Sequence, residues 1–166
     1  QKLGWGHRSW GKPPPRPAAR AKEKKSMKPV FYEHKVQYYE TDKMNCVHHS
    51  NYIRWFEEAR TWLMDQGGFG YAAMEAMGVM SPVLKAEAEF RSMTRFGETV
   101  TIETNVESYT GTRIAFSYVV RDRETSTVRC QGRTEHCFLG PKGRPVSLKK
   151  ACPEYHRLIE ETLAKD

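Results

Sequence analysis

Residues 38–52 read YYETDKMNCVHHSNY. The polar run from Glu40 to Val47 predicts a turn, and Ser50 or Asn51 can cap a helix beginning beside it. That order places one acid, Asp42, just ahead of a helix amino terminus. Upstream, Phe31 to Tyr38 is aromatic and β-branched in near alternation, which predicts a strand. Downstream, Tyr52, Trp55, Phe56, Ala59, Trp62, Leu63 and Gln66 recur at three-and-four spacing, with Arg54, Glu57, Glu58 and Asp65 elsewhere around the cylinder. Gly67 and Gly68 end this helix. A stripe so rich in large aromatics must lie against a broad apolar surface, and a sheet is the candidate.

The remaining chain supplies that sheet. After a short amphipathic piece, Tyr71 to Met77, four strand-like runs follow, roughly Val79 to Arg91, Thr99 to Ser108, Arg113 to Arg121 and Thr127 to Leu139. Alternation is clearest at Val100, Ile102, Thr104 and Val106, and again at Ile114, Phe116, Tyr118 and Val120. Short turns, Phe96-Gly97-Glu98 and Thr110-Gly111-Thr112 among them, favour antiparallel neighbours. A last helix is expected from about Pro153 to Ala164. The pattern is α+β, a five-stranded, mostly antiparallel sheet wrapped on one long helix.

The net charge of +7 over 166 residues is unevenly distributed. Residues 1–26 carry 8 Lys and Arg against 1 Glu, whereas residues 27–166 carry 19 bases and 19 acids. A neutral body lacks the electrostatic footprint of a nucleic-acid binder. The tail at 1–26, with its Lys12-Pro13-Pro14-Pro15-Arg16-Pro17 run, has no hydrophobic periodicity and reads as a disordered extension. Met27 is the expected natural start, and the folded unit is expected over 27–166. Cys46, Cys130, Cys137 and Cys152 form no C-x-x-C pair and read as free thiols in a reducing compartment. No apolar run approaches the roughly 20 residues that span a bilayer. These features predict a cytoplasmic protein without a membrane segment.

The chain resembles the acyl-CoA thioesterases of the 4-hydroxybenzoyl-CoA thioesterase type, which have the hotdog fold. The likeness is carried by Tyr38, Asp42, His49, Ser50, Asn51 and Tyr52, by the helix continuation Arg54 to Arg60, by Phe90 to Glu98 and by Gly132 to His136. It covers most of residues 30–160. Asn45 stands where that family usually has glycine, and His48 where it commonly has an aromatic or other residue. Asparagine tolerates left-handed backbone angles, so Asn45 is expected to keep the turn intact.

The resemblance implies that Asp42 acts on a thioester carbonyl, as nucleophile or as general base, and that the backbone N–H near His49 polarises the carbonyl oxygen. A helix amino terminus suits that task, since its N–H groups are unpaired and carry partial positive charge. The His49 imidazole is either catalytic or structural. Tyr38 either places a hydroxyl beside the site or fills core at a strand end. Asn51 is a substrate ligand or a turn-stabilising amide. Arg91 and Arg95, with Lys85, are candidates to meet the phosphates of coenzyme A, the alternative being solvated arginines on a strand edge. His136 reads as a core histidine with one satisfied nitrogen. His48 and His49, as adjacent residues, are expected to point to different sides, and no metal or redox cofactor is required.

The expected function is hydrolysis of an acyl-CoA thioester to free acid and CoA. An acyl carrier protein thioesterase, or a non-catalytic acyl-binding module, are the alternatives. A homodimer or homotetramer is implied by resemblance, and pairing would also cover an open sheet edge.

Overall fold

The structure, a computed structural model, describes residues 28–164. The expectations for residues 1–26 lie outside the described residues. The elements run β1 (Val30–Lys35), a 3-10 turn (Tyr38–Glu40), α1 (Ser50–Gln66), α2 (Tyr71–Ala76), β2 (Val83–Phe90), β3 (Thr99–Tyr109), β4 (Arg113–Asp122), β5 (Val128–Cys137), α3 (Leu148–Ala151) and α4 (Pro153–Ala164). All five strands form one antiparallel sheet in the order β1-β3-β4-β5-β2.

Period-two burial marks β3, where Val100, Ile102, Thr104 and Val106 face the interior. The same faces of β4 and β5 contribute Phe116, Tyr118, Val120 and Cys130. Across from them α1 presents Trp55, Phe56, Ala59 and Leu63, all fully buried. Complete burial of each large side chain is worth about 1.5–3 kcal/mol, so this stripe fixes the helix on the sheet. At Gly132 of β5 the fit is tight, and an added Cβ would stand 2.2 Å from Phe56 Cε2. The Phe56 ring stacks on Tyr118 with centroids 4.4 Å apart. At the far end of α1, the Tyr155 hydroxyl of α4 donates to the Phe69 carbonyl oxygen, and Ile159 and Leu163 close that side of the core.

Three departures from the sequence reading have physical causes. The first strand stops at Lys35, because Val36 turns inward and the chain tightens into the 3-10 turn, leaving Tyr38 76% exposed. Tyr38 therefore does not fill core. On α1 the buried stripe takes in Asn51, Arg60 and Met64, whereas Trp62 is 45% exposed and lies beside Tyr32 of β1. Arg60 is buried because its guanidinium donates to the Tyr71 and Tyr118 hydroxyls. Finally, β2 and β3 are consecutive in the chain yet not paired: β2 crosses to the far side of the sheet and joins β5.

Candidate active site

Asp42 opens a tight turn closed by a bridge between Thr41 and Val47. Its N–H donates to the Cys46 carbonyl oxygen (3.0 Å), and its own carbonyl oxygen accepts from the Asn45 N–H (2.9 Å). Asn45 has φ = 57°, the left-handed conformation that asparagine accepts, so the turn survives without glycine. One carboxylate oxygen of Asp42 accepts the Met44 N–H at 2.8 Å and lies 3.8 Å from the Cys46 sulfur. The other oxygen has no partner among the described residues. Burial, and then the neighbouring carboxylate, push the Cys46 thiol up, which keeps it protonated beside Asp42.

The half-buried Asp42 borders an open pocket of about 450 Å³ together with Tyr38, Tyr39, Thr41 and Lys43. Tyr38 stands edge-on to Phe96, with centroids 5.6 Å apart. A smaller groove of about 270 Å³, bordered by Glu87 to Glu89 and Gln131 to Arg133, lies along β2 and β5 and includes none of the expected site residues.

The entrance of α1 is organised so that one amide is left over. The Val47 N–H donates to the Thr94 carbonyl oxygen (2.8 Å), and the His48 N–H to that of Glu40 (2.9 Å). The Ser50 N–H points at Nδ1 of His48 (3.3 Å), and the N–H groups of Asn51 and Tyr52 close short turns onto His48 and His49. Among the described residues the His49 N–H has no acceptor. An unpaired donor at a helix start is suited to a carbonyl oxygen carrying developing charge. The rings of His48 and His49 lie 4.1 Å apart, so they share one side rather than diverge: neither residue sits within a regular strand or helix. Both are exposed, and His49 also lies edge-on to Phe90 of β2.

The other expected residues divide. Asn51 is buried, and its side-chain amide donates to the Glu40 carbonyl oxygen at 2.8 Å, tying helix to turn. Arg95 sends one guanidinium N–H to the Asn45 carbonyl oxygen (3.1 Å), so it clamps the same turn. Arg91, exposed just past the end of β2, pairs with Glu89 at 2.8 Å, and Lys85 of β2 pairs with Glu87. His136 is fully buried, with Nε2 2.9 Å from the Thr134 hydroxyl and Nδ1 unpartnered. Burial, and secondly the Arg60 charge, hold it down to about 4, so it is neutral.

Two supports of the site were not anticipated. Thr94, fully buried in the loop between β2 and β3, accepts the Tyr52 hydroxyl at 3.0 Å as well as the Val47 amide. That loop is itself fastened by Arg129, which donates to the Met93 carbonyl oxygen and pairs with Glu98 and Asp122. The Thr125 amide and Arg129 hold the Asp122 carboxyl at about 2. The second support is Glu40, buried between β1 and α1.

A family model described as the thioesterase-like superfamily matches residues 36–155, most of the chain. The chain belongs to the thioesterase-like superfamily. Membership places it among thioester hydrolases and accounts for the sheet wrapped on a helix, the hotdog arrangement. YneP of Bacillus subtilis, which carries the provisional name of an acyl-CoA thioesterase, is 32% identical over 130 residues, 78% of this chain and 94% of YneP. The acyl-CoA thioester hydrolase YbgC of Escherichia coli O157:H7 is 26% identical over 117 residues, covering 70% of this chain and 87% of YbgC. Among solved structures, the DHNA-CoA thioesterase of Staphylococcus aureus superposes with a TM-score of 0.78 at 31% identity, over 83% of this chain and 93% of that one. No helix among the described residues of this superfamily member is long and apolar enough to cross a membrane.

Proposed function

We propose that the chain hydrolyses acyl-CoA thioesters to a free carboxylic acid and CoA, with Asp42 as the reacting group. The observation that carries this reading is the pairing of a half-anchored carboxylate, one oxygen held by the Met44 amide, with an unpaired amide at His49 on the same short segment. The anchored oxygen fixes the carboxylate, and the free one is available to attack the thioester carbon or to take a proton from water. In either case the carbonyl oxygen gains negative charge that the His49 N–H would stabilise. The CoA thioesters in the names of YneP, YbgC and the Staphylococcus enzyme favour coenzyme A over a carrier protein as the leaving thiol.

A second copy is part of this proposal. The outer edge of β2 has no partner strand among the described residues, and Val83, Leu84 and Phe90 are exposed along it. Phe90 also lies edge-on to Tyr52, with centroids 5.3 Å apart, so a copy paired along β2 would reach the helix entrance and narrow the open pocket. Four free cysteines fit the reducing cytoplasm.

The test is thiol release from a panel of short, long and aromatic acyl-CoAs by the unaltered chain and by Asp42→Asn. The variant should lose at least about a hundredfold, equivalent to about 2.7 kcal/mol in the barrier. Equal rates would remove Asp42 from the chemistry, and free CoA that failed to compete would point to a carrier-protein substrate.

A further inference from the structure

Glu40 lies two residues before Asp42, and its side chain is directed away from the pocket into the seam between β1, the 3-10 turn and α1. Its carboxylate accepts from the Gln37 N–H (2.7 Å), the Trp55 indole N–H (2.7 Å) and Nε2 of His34 (2.9 Å). Its carbonyl oxygen accepts from the His48 N–H (2.9 Å) and the Asn51 side-chain amide (2.8 Å). One residue thus joins strand, turn and helix. The carboxylate ties the turn to β1 and to the buried Trp55 of α1; the carbonyl group ties it to the first residues of the helix. Asp42 and the His49 amide both lie on the segment spanning these anchors.

We propose that Glu40 is the positioning residue of the site: it sets the Asp42 turn against the amino terminus of α1, and so fixes the carboxylate relative to the unpaired His49 amide. The inference rests on the function proposed for Asp42. Rate depends steeply on such placement, since an error of about 1 Å in the relation of reacting groups can lower turnover about a hundredfold. Ground-state binding is less demanding of such placement, and none of the five contacts itself reaches the pocket. The role is therefore expected to affect turnover more than substrate affinity.

The groups facing Glu40 favour its ionised carboxylate. Burial alone would raise its proton affinity; the bonds from His34, the Gln37 amide and Trp55 outweigh burial and hold it below the ordinary glutamate range. His34 is supported from its other nitrogen by Glu58, 3.3 Å away, which also accepts from the Tyr32 hydroxyl.

Glu40→Gln keeps size and shape, but its amide group cannot accept from all three donors at once. The test compares the chain with Glu40→Gln and Glu40→Asp, measuring kcat and KM on the acyl-CoA that the unaltered chain turns over fastest, together with amide hydrogen exchange by mass spectrometry. The expected result for Glu40→Gln is a kcat at least tenfold lower, a KM within about twofold, and exchange at least tenfold faster confined to residues 41–50. Glu40→Asp, which keeps the charge, should recover part of the loss. A kcat within twofold with unchanged exchange at 41–50 would overturn the proposal. So would exchange that accelerates equally through β3, β4 and β5, which marks a general fold residue. Should the unaltered chain release no thiol from any substrate, the reading of Asp42 fails, and exchange over 41–50 still decides whether Glu40 holds the turn.

Discussion

Replacing Gly132 with alanine sets two effects of opposite sign against each other. In a strand interior, alanine is favoured over glycine by about 0.5–1 kcal/mol through chain entropy alone. Against this, the new Cβ would stand 2.2 and 2.3 Å from two ring carbons of Phe56 and 2.9 Å from the Glu87 carbonyl oxygen. Carbon atoms in comfortable contact are about 3.5–4.0 Å apart, so the ring must retreat by more than about 1 Å. Phe56 is fully buried and backed by Tyr118, stacked at 4.4 Å and within 12° of parallel, so it has no free space to enter. Overpacking of this kind costs about 1–3 kcal/mol, and contact with two ring carbons and a backbone oxygen argues for the upper end. The net expectation is a loss of about 2 kcal/mol, or a melting temperature lower by about 4–8 °C. Urea unfolding followed by tryptophan fluorescence at one fixed protein concentration measures it. Phe56→Leu in the alanine background should then cost less than in the original chain, by about 1 kcal/mol or more. An alanine variant as stable as the original, or more so, would refute the packing argument.

Substitutions at two further positions test the site and the core. Asn45→Gly should leave stability and turnover close to unchanged, whereas Asn45→Ala should cost about 1–2 kcal/mol, because φ = 57° is strained for alanine; paired urea curves distinguish them. His136 is neutral in the fold, with its proton affinity held down to about 4, while in the unfolded chain it titrates near 6.5. Between those values the unfolded chain binds more protons, so His136 makes stability fall as pH drops from about 6.5 to 4 and contributes no further slope below. His136→Gln should flatten the unfolding free energy over that window, read from urea curves at a series of pH values.

Much of this architecture could be read from residue order because burial follows periodicity. Val100, Ile102, Thr104 and Val106 alternate in sequence and are buried in alternation, and Trp55, Phe56, Ala59 and Leu63 fall on the helical stripe. Trp62 misleads for a simple reason: it lies on the flank of the stripe, where an aromatic can rest against Tyr32 and remain half open to water. Arg60 escapes notice because a charged residue reads as solvated, whereas tyrosine hydroxyls on α2 and β4 give its guanidinium partners inside. Asp42 and His49 stood out as candidates through motif and position. Glu40 was not, since a glutamate in a polar turn looks like surface. The signal that could have revealed it is Trp55, whose indole N–H needs an acceptor if the ring is buried. The crossing of β2 to β5 is a long-range pairing with no local signature.

That crossing has a consequence for how the protein is made. The Asp42 turn follows β1 at one edge of the sheet, but its anchors, Thr94 and Arg95, follow β2 at the opposite edge. β2 gains a place only when β5, ending at Cys137, is available to pair with it. On the ribosome, the Asp42–His49 segment must therefore wait for about 90 further residues of synthesis before it can be fixed, and such distant pairings form slowly. In refolding, hydrolysis should return after most backbone structure has already reappeared, and chain termination within β5 would leave the Asp42 turn, laid down far earlier, without its anchors.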